Sequence, residues 1–95
     1  MNYRVEFKKR AVRQYKRLDP QIRKKVADKI NTLREDPHRY PLLSRVLAGL
    51  RKMVVTTPAG EYRLVFTLDE KTKAVAVVFV GSRENFYREL QRYLG

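Results

Sequence analysis

The sequence predicts a single α+β domain in the order β-α-α-β-β-β-α, a small curved, mainly antiparallel sheet with an N-terminal helical hairpin packed on one face. Three observations carry this expectation. The apolar residues near the N-terminus alternate with charged ones and then change to helical spacing, so a strand hands over to helices. Two Asp-Pro pairs, Asp19-Pro20 and Asp36-Pro37, punctuate the helical stretch. The run from Ala74 to Val80 is apolar on both faces, as a strand inside a sheet must be.

Tyr3, Val5 and Phe7 alternate with Arg4, Glu6 and Lys8, which gives one buried strand face. From about Lys9, residues Ala11, Tyr15 and Leu18 fall at i, i+4 and i+7 and form a helical stripe among basic side chains. Asp19 then reads as an N-cap with proline at the first helical position. Ile22, Val26, Ile30 and Leu33 form the stripe of a second helix, which Asp36-Pro37 closes. Residues 37–49 hold two prolines, His38 and Gly49 without a clean period, and read as an ordered surface loop. A strand from Leu50 to Thr56 ends at the turn Thr57-Pro58-Ala59-Gly60. A second, Glu61 to Leu68, sets Tyr62, Leu64, Phe66 and Leu68 on one face, and a polar turn at residues 69–72 leads to the central strand. Gly81-Ser82 break that strand, Ser82 caps the last helix, and Phe86, Leu90 and Leu94 form its apolar stripe.

Composition narrows the function. Ninety-five residues make one domain, 1–95, with 43% hydrophobic residues for one core. No cysteine is present, so disulfides and thiolate metal sites are excluded. The N-terminal residues have no apolar h-region and no apolar run is long enough to cross a bilayer, so a cytoplasmic protein without membrane association is expected. The formal net charge is +12, from 22 basic against 10 acidic side chains. Residues 1–55 hold 16 basic and 5 acidic side chains, a net +11, while residues 56–95 hold 6 and 5. A field of that sign favours a polyanion, and each neutralised phosphate releases counterions. A thermostable surface rich in Lys would bring matching Glu, which is missing here. An acidic protein or an anionic membrane would also be attracted.

No conventional enzyme constellation is present. The lone His38 builds neither a metal site nor a histidine pair, and GxSxG, P-loop and HExxH motifs are absent. The ten acidic residues are scattered, so no metal and no cofactor is expected. What remains is a basic and tyrosyl set: Arg51 and Lys52 on one strand, Arg63 on the face opposite Tyr62, Arg83 at the start of the final helix, and Tyr87 at i+4 from it. Such a set suits metal-free RNA cleavage. RNA supplies its own 2′-hydroxyl nucleophile, guanidiniums stabilise the phosphorane, and clustered cations lower the pKa of a neighbouring Lys or Tyr. The same residues also read as solvated strand and packing positions in a basic nucleic-acid-binding domain.

The segment Gly60-Glu61-Tyr62-Arg63-Leu64-Val65-Phe66, then Ala74 to Val80 and Gly81-Ser82-Arg83-Glu84-Asn85-Phe86-Tyr87, resembles the RelE/ParE superfamily of toxins. Tyr3-Arg4-Val5, Leu18-Asp19-Pro20 and Leu47-Ala48-Gly49-Leu50-Arg51 are similar as well, so the likeness spans most of the chain. The resemblance implies the toxin of a type II toxin–antitoxin system, a RelE-like mRNA interferase that cuts mRNA in the A site of the 70S ribosome without a metal. Carried over by position, the catalytic set is Lys52, Arg63, Arg83 and Tyr87; RNA contacts are expected from the basic residues Arg45, Arg51, Lys52 and Arg63. Arg63 and Arg83 would hold the phosphate and Lys52 or Tyr87 would move protons. RelE enzymes often carry a second basic residue two positions beyond Lys52, where this chain has Val54. The resemblance also implies a cognate antitoxin and a monomeric free toxin. ParE-like gyrase inhibition, or nucleic-acid binding without catalysis on the same fold, are the alternatives.

Overall fold

The computed structural model describes residues 2–43 and 49–94, with the side chains of 93 and 94 outside the description. Its elements run β1 (Arg4–Phe7), α1 (Lys9–Arg17), α2 (Pro20–Glu35), β2 (Leu50–Thr57), β3 (Gly60–Asp69), β4 (Ala74–Ser82) and α3 (Arg83–Leu94). The order is the expected one, and the strands form a four-stranded sheet in the order β1-β4-β3-β2. β2, β3 and β4 pair antiparallel, while β1 lies parallel to β4 with Val5 opposite Val75.

Local chemistry sets the helices. The Asp19 carboxylate accepts from the Gln21 backbone N–H at 3.1 Å, and Pro20 occupies the first turn, where a missing N–H costs nothing. One stripe of α2, Ile22, Val26, Ile30 and Leu33, is buried with Ala11 of α1 against Met53, Val55, Leu64, Phe66, Val75, Val77 and Val80. The hairpin therefore covers one face of the sheet. The other face carries a smaller cluster, Val65, Phe79 and Phe86, with Leu43, Leu50, Val78 and Leu90 packed around it. α3 thus lies on the face opposite the hairpin.

A β-bulge makes the two-sided core possible. Val65 pairs with Phe79 but Phe66 pairs with Val77, so Val78 is the extra residue on β4. Val75, Val77 and Val80 face the hairpin, whereas Val78 and Phe79 both join the α3 cluster. Beyond the short β1, the edge of β4 is covered by α1, and the Val80 N–H donates to Gln14 Oε1 at 2.9 Å.

Two expectations are corrected. Gly81 and Ser82 do not break the central strand, because Arg63 pairs with Gly81 and Tyr62 with Ser82. Ser82 still caps α3, its Oγ accepting from the Asn85 N–H at 3.2 Å. The segment after α2 is also more than a surface loop. Pro37–Arg39 form a 3-10 turn, Pro37 and Tyr40 are buried, and Leu42 bridges Arg51 on the edge strand. Burial of those apolar rings and backbone pairing along β2 fix it in place. The side chain of Leu94, expected in the α3 stripe, lies outside the described residues.

Candidate functional site

The candidate site forms where the ends of β3 and β4 meet the first turns of α3. On β3 the odd residues Glu61, Arg63 and Val65 point to the α3 face, because Leu64 and Phe66 belong to the hairpin core. Arg63 is only 7% exposed, an unusual state for a guanidinium. Its Cζ lies 5.2 Å from the Phe86 ring centroid and 5.3 Å from that of Tyr87. Two aromatic faces at these distances stabilise the cation, each by about 0.5–2 kcal/mol. Its Nη2 is 3.8 Å from Glu61 Oε1, and its buried Nε has no hydrogen-bond partner.

Arg83 opens α3, and Tyr87 follows one turn later on the same helix face. The Arg83 guanidinium lies 5.7 Å from the Tyr87 ring centroid. Hydrogen bonding to Arg83, then the fields of Arg63 and Arg83, hold the Tyr87 phenol below the usual tyrosine range. Reciprocally, Tyr87 and then Glu61 raise Arg83 above the usual arginine value. Tyr87 itself remains 44% exposed.

Register decides the other expected residues. Lys52 lies opposite Val65, so it shares the α3 face and sits diagonal to Arg63 across the strand pair. Val54 lies directly opposite Arg63. Arg51 points to the other face, where its Nη1 donates to the Tyr40 carbonyl at 2.7 Å and ties the 3-10 segment to β2. The structure therefore gathers Arg63, Arg83 and Tyr87, sets Lys52 on their face and places Arg51 away from them. Arg45 lies outside the described residues. His38 is at the far end of the sheet, paired with Glu70, which also binds Lys73 at 2.9 Å. Among the described residues no trio of acidic or histidine side chains converges to hold a metal.

Two side chains join this set beyond those read from the sequence. Phe86 supplies a ring under Arg63, and Glu61 places a carboxylate beside it. Strand parity signals Glu61, since it stands two residues before Arg63. Across α3 lies a groove of about 420 Å³ between that helix and α1, lined in part by Arg17, Asn85, Arg88 and Arg92.

The sheet thus carries a helical hairpin on one face and, on the other, Arg63 and Arg83 beside Tyr87. The chain belongs to the ParE-like toxin family of type II bacterial toxin–antitoxin systems, whose model matches residues 5–91. It is similar to an Escherichia coli protein described as a RelE-like toxin, with 31% identity over 85 residues, covering 88% of this chain and 86% of that protein. Solved structures agree. The Mycobacterium tuberculosis RelBE2 toxin–antitoxin complex contains a chain matched at TM-score 0.75 and 29% identity, covering 87% of this chain and all of that one. A chain of the intact E. coli RelBE toxin–antitoxin complex matches at TM-score 0.72 and 24% identity, over 84% of this chain and 95% of that one. The second likeness is one of fold. No helix among the described residues is long and apolar enough to cross a membrane.

Proposed function

We propose that this protein is a toxin that cuts mRNA in the ribosomal A site by attack of the 2′-hydroxyl, without a metal. The observation that carries this reading is the pairing of a buried Arg63 with Arg83 around a tyrosine whose pKa they lower. Two guanidiniums, Arg63 held among the aromatic rings and Arg83 on the exposed start of α3, match the oxygens of one phosphate and stabilise charge as the phosphorane forms. Tyr87 then protonates the departing 5′-oxygen, and a phenol of lowered pKa is the better donor. Lys52, on the same face, adds positive charge for the strand or takes part in proton transfer. Products are a 2′,3′-cyclic phosphate and a free 5′-hydroxyl. The partner that neutralises the protein is a cognate antitoxin, in line with the complexes in which its structural relatives occur. Without that partner the protein is a cytoplasmic monomer.

The test is primer extension on a defined mRNA in a purified translation system. The protein yields new 5′ ends inside A-site codons only when ribosomes are present. Arg83→Ala folds normally and cuts at least ~10²-fold more slowly, the scale for losing a preorganised charge donor. Intact mRNA with a folded protein overturns the reading. A second reading, inhibition of DNA gyrase, draws on the ParE-like family match and on Val54 standing where a further basic residue would serve cleavage. It predicts gyrase-dependent DNA breaks with mRNA left whole.

A further inference from the structure

The RNA-cleaving reading leaves one role without a clear holder, the base that takes the proton of the 2′-hydroxyl. Arginines cannot accept it. Tyr87 is needed with its proton on if it is to supply the leaving oxygen, and Lys52 accepts a proton only after losing its own. Val54, directly opposite Arg63, carries no titratable group. Glu61 is different. It stands on the same face of β3 as Arg63, with Oε1 3.8 Å from Arg63 Nη2 and its side chain 31% exposed. That contact is too long for a tight, bidentate lock, so the carboxylate lone pairs stay available. Its field also reaches Arg83.

We propose that Glu61 is the general base of this site, an assignment that rests on the RNA-cleaving reading. A phosphate held by Arg63 and Arg83 brings its adjoining ribose alongside the carboxylate. The 2′-hydroxyl proton passes to Glu61 as the 2′-oxygen bonds to phosphorus. The bond from phosphorus to the 5′-oxygen breaks, and that oxygen takes the Tyr87 proton. Glu61 then gives up its proton to solvent and Tyr87 regains one, so the site resets without consuming water. The neighbouring guanidiniums also explain why a carboxylate is tolerated next to a polyanion: they offset its repulsion of the phosphate.

The experiment is single-turnover cleavage of a defined mRNA on programmed 70S ribosomes by the wild-type protein, Glu61→Gln and Glu61→Ala. Thermal unfolding checks the fold of each variant, and ribosome binding is followed in parallel. The expected result is a cleavage rate at least ~10²-fold lower for both variants, the usual share of a positioned base, with ribosome affinity unchanged. Added formate or acetate partly restores Glu61→Ala, and acetate, the stronger base, restores more. Cleavage by Glu61→Gln at the wild-type rate overturns the assignment while leaving the RNA-cleaving reading intact. A loss that neither carboxylate rescues, or one that follows weaker ribosome binding, makes Glu61 a positioning residue for Arg63 and also overturns it. Uncut mRNA with the wild-type protein removes the underlying reading and this role together.

Discussion

Arg63 is the residue on which the site turns, because its position is set by packing as much as by charge. Its guanidinium lies over Phe86 and Tyr87 and its Nε has no partner, so part of its polar surface is buried at a cost. Arg63→Met keeps much of the volume and removes the unpartnered buried Nε with the charge, while Glu61, part-exposed and 3.8 Å away, is left hydrated. The expected outcome is a melting temperature within a few degrees of wild type, read by circular dichroism, and, on the proposed RNA-cleaving function, loss of cleavage. Tyr87 makes a prediction in pH. Its pKa is lowered, so the phenol loses its proton at a lower pH than a free tyrosine would. If that proton goes to the leaving oxygen, cleavage falls as pH rises through the lowered value. Ultraviolet titration of wild type against Tyr87→Phe locates that step, and in Arg83→Ala it moves back up. The sequence made most of these side chains visible, since i+4 spacing joins Arg83 to Tyr87 and strand parity opposes Arg63 to Tyr62. It did not separate Arg51 from Lys52, although neighbours on a strand face opposite ways, and it passed over Glu61 for want of a partner. Burial of Arg63 depends on where α3 lands, which no local pattern carries.

At the scale of elements, α2 and α3 were legible because Asp19 and Ser82 cap them ahead of an apolar stripe, and α1 through its change of period alone, since Lys8 makes no side-chain cap. The strand ends were not. Gly81 looks like a breaker in isolation, yet its backbone stays paired to Arg63 in the ladder. The glycine serves space rather than flexibility. A Cβ there would come within 2.9 Å of the Phe79 Cζ, inside the cluster that seats α3. Gly81→Ala therefore pushes the Phe79 ring against Phe86 and destabilises the fold by about 1–3 kcal/mol, the range for overpacking. Urea unfolding measures that loss, and an unchanged midpoint would show that the ring swings clear. The segment 37–43 misled for a related reason, since Pro37 and Tyr40 are buried by tertiary neighbours and sequence period cannot show that.

For the whole molecule the decisive quantity is a net charge of +12 concentrated in the first 55 residues. Binding to single-stranded RNA should weaken linearly in log–log terms with salt, by a slope of about 0.7 for each phosphate contacted. Neutralising Arg17 or Arg92 in the groove across α3 should lower that slope by about 0.7 each, as fluorescence anisotropy over a salt series would record. A slope unchanged in both variants would put the RNA elsewhere on the surface. The parallel pairing of β1 with β4 has a consequence in time. Val5 meets Val75, some seventy residues later in the chain, and Arg83 and Tyr87 come later still. At about 5–20 residues per second of synthesis, β1 waits several seconds for its neighbour, and the arginine pair does not exist until then. The set that gathers Arg63 with Arg83 and Tyr87 is therefore assembled only after β4 and α3 have been made.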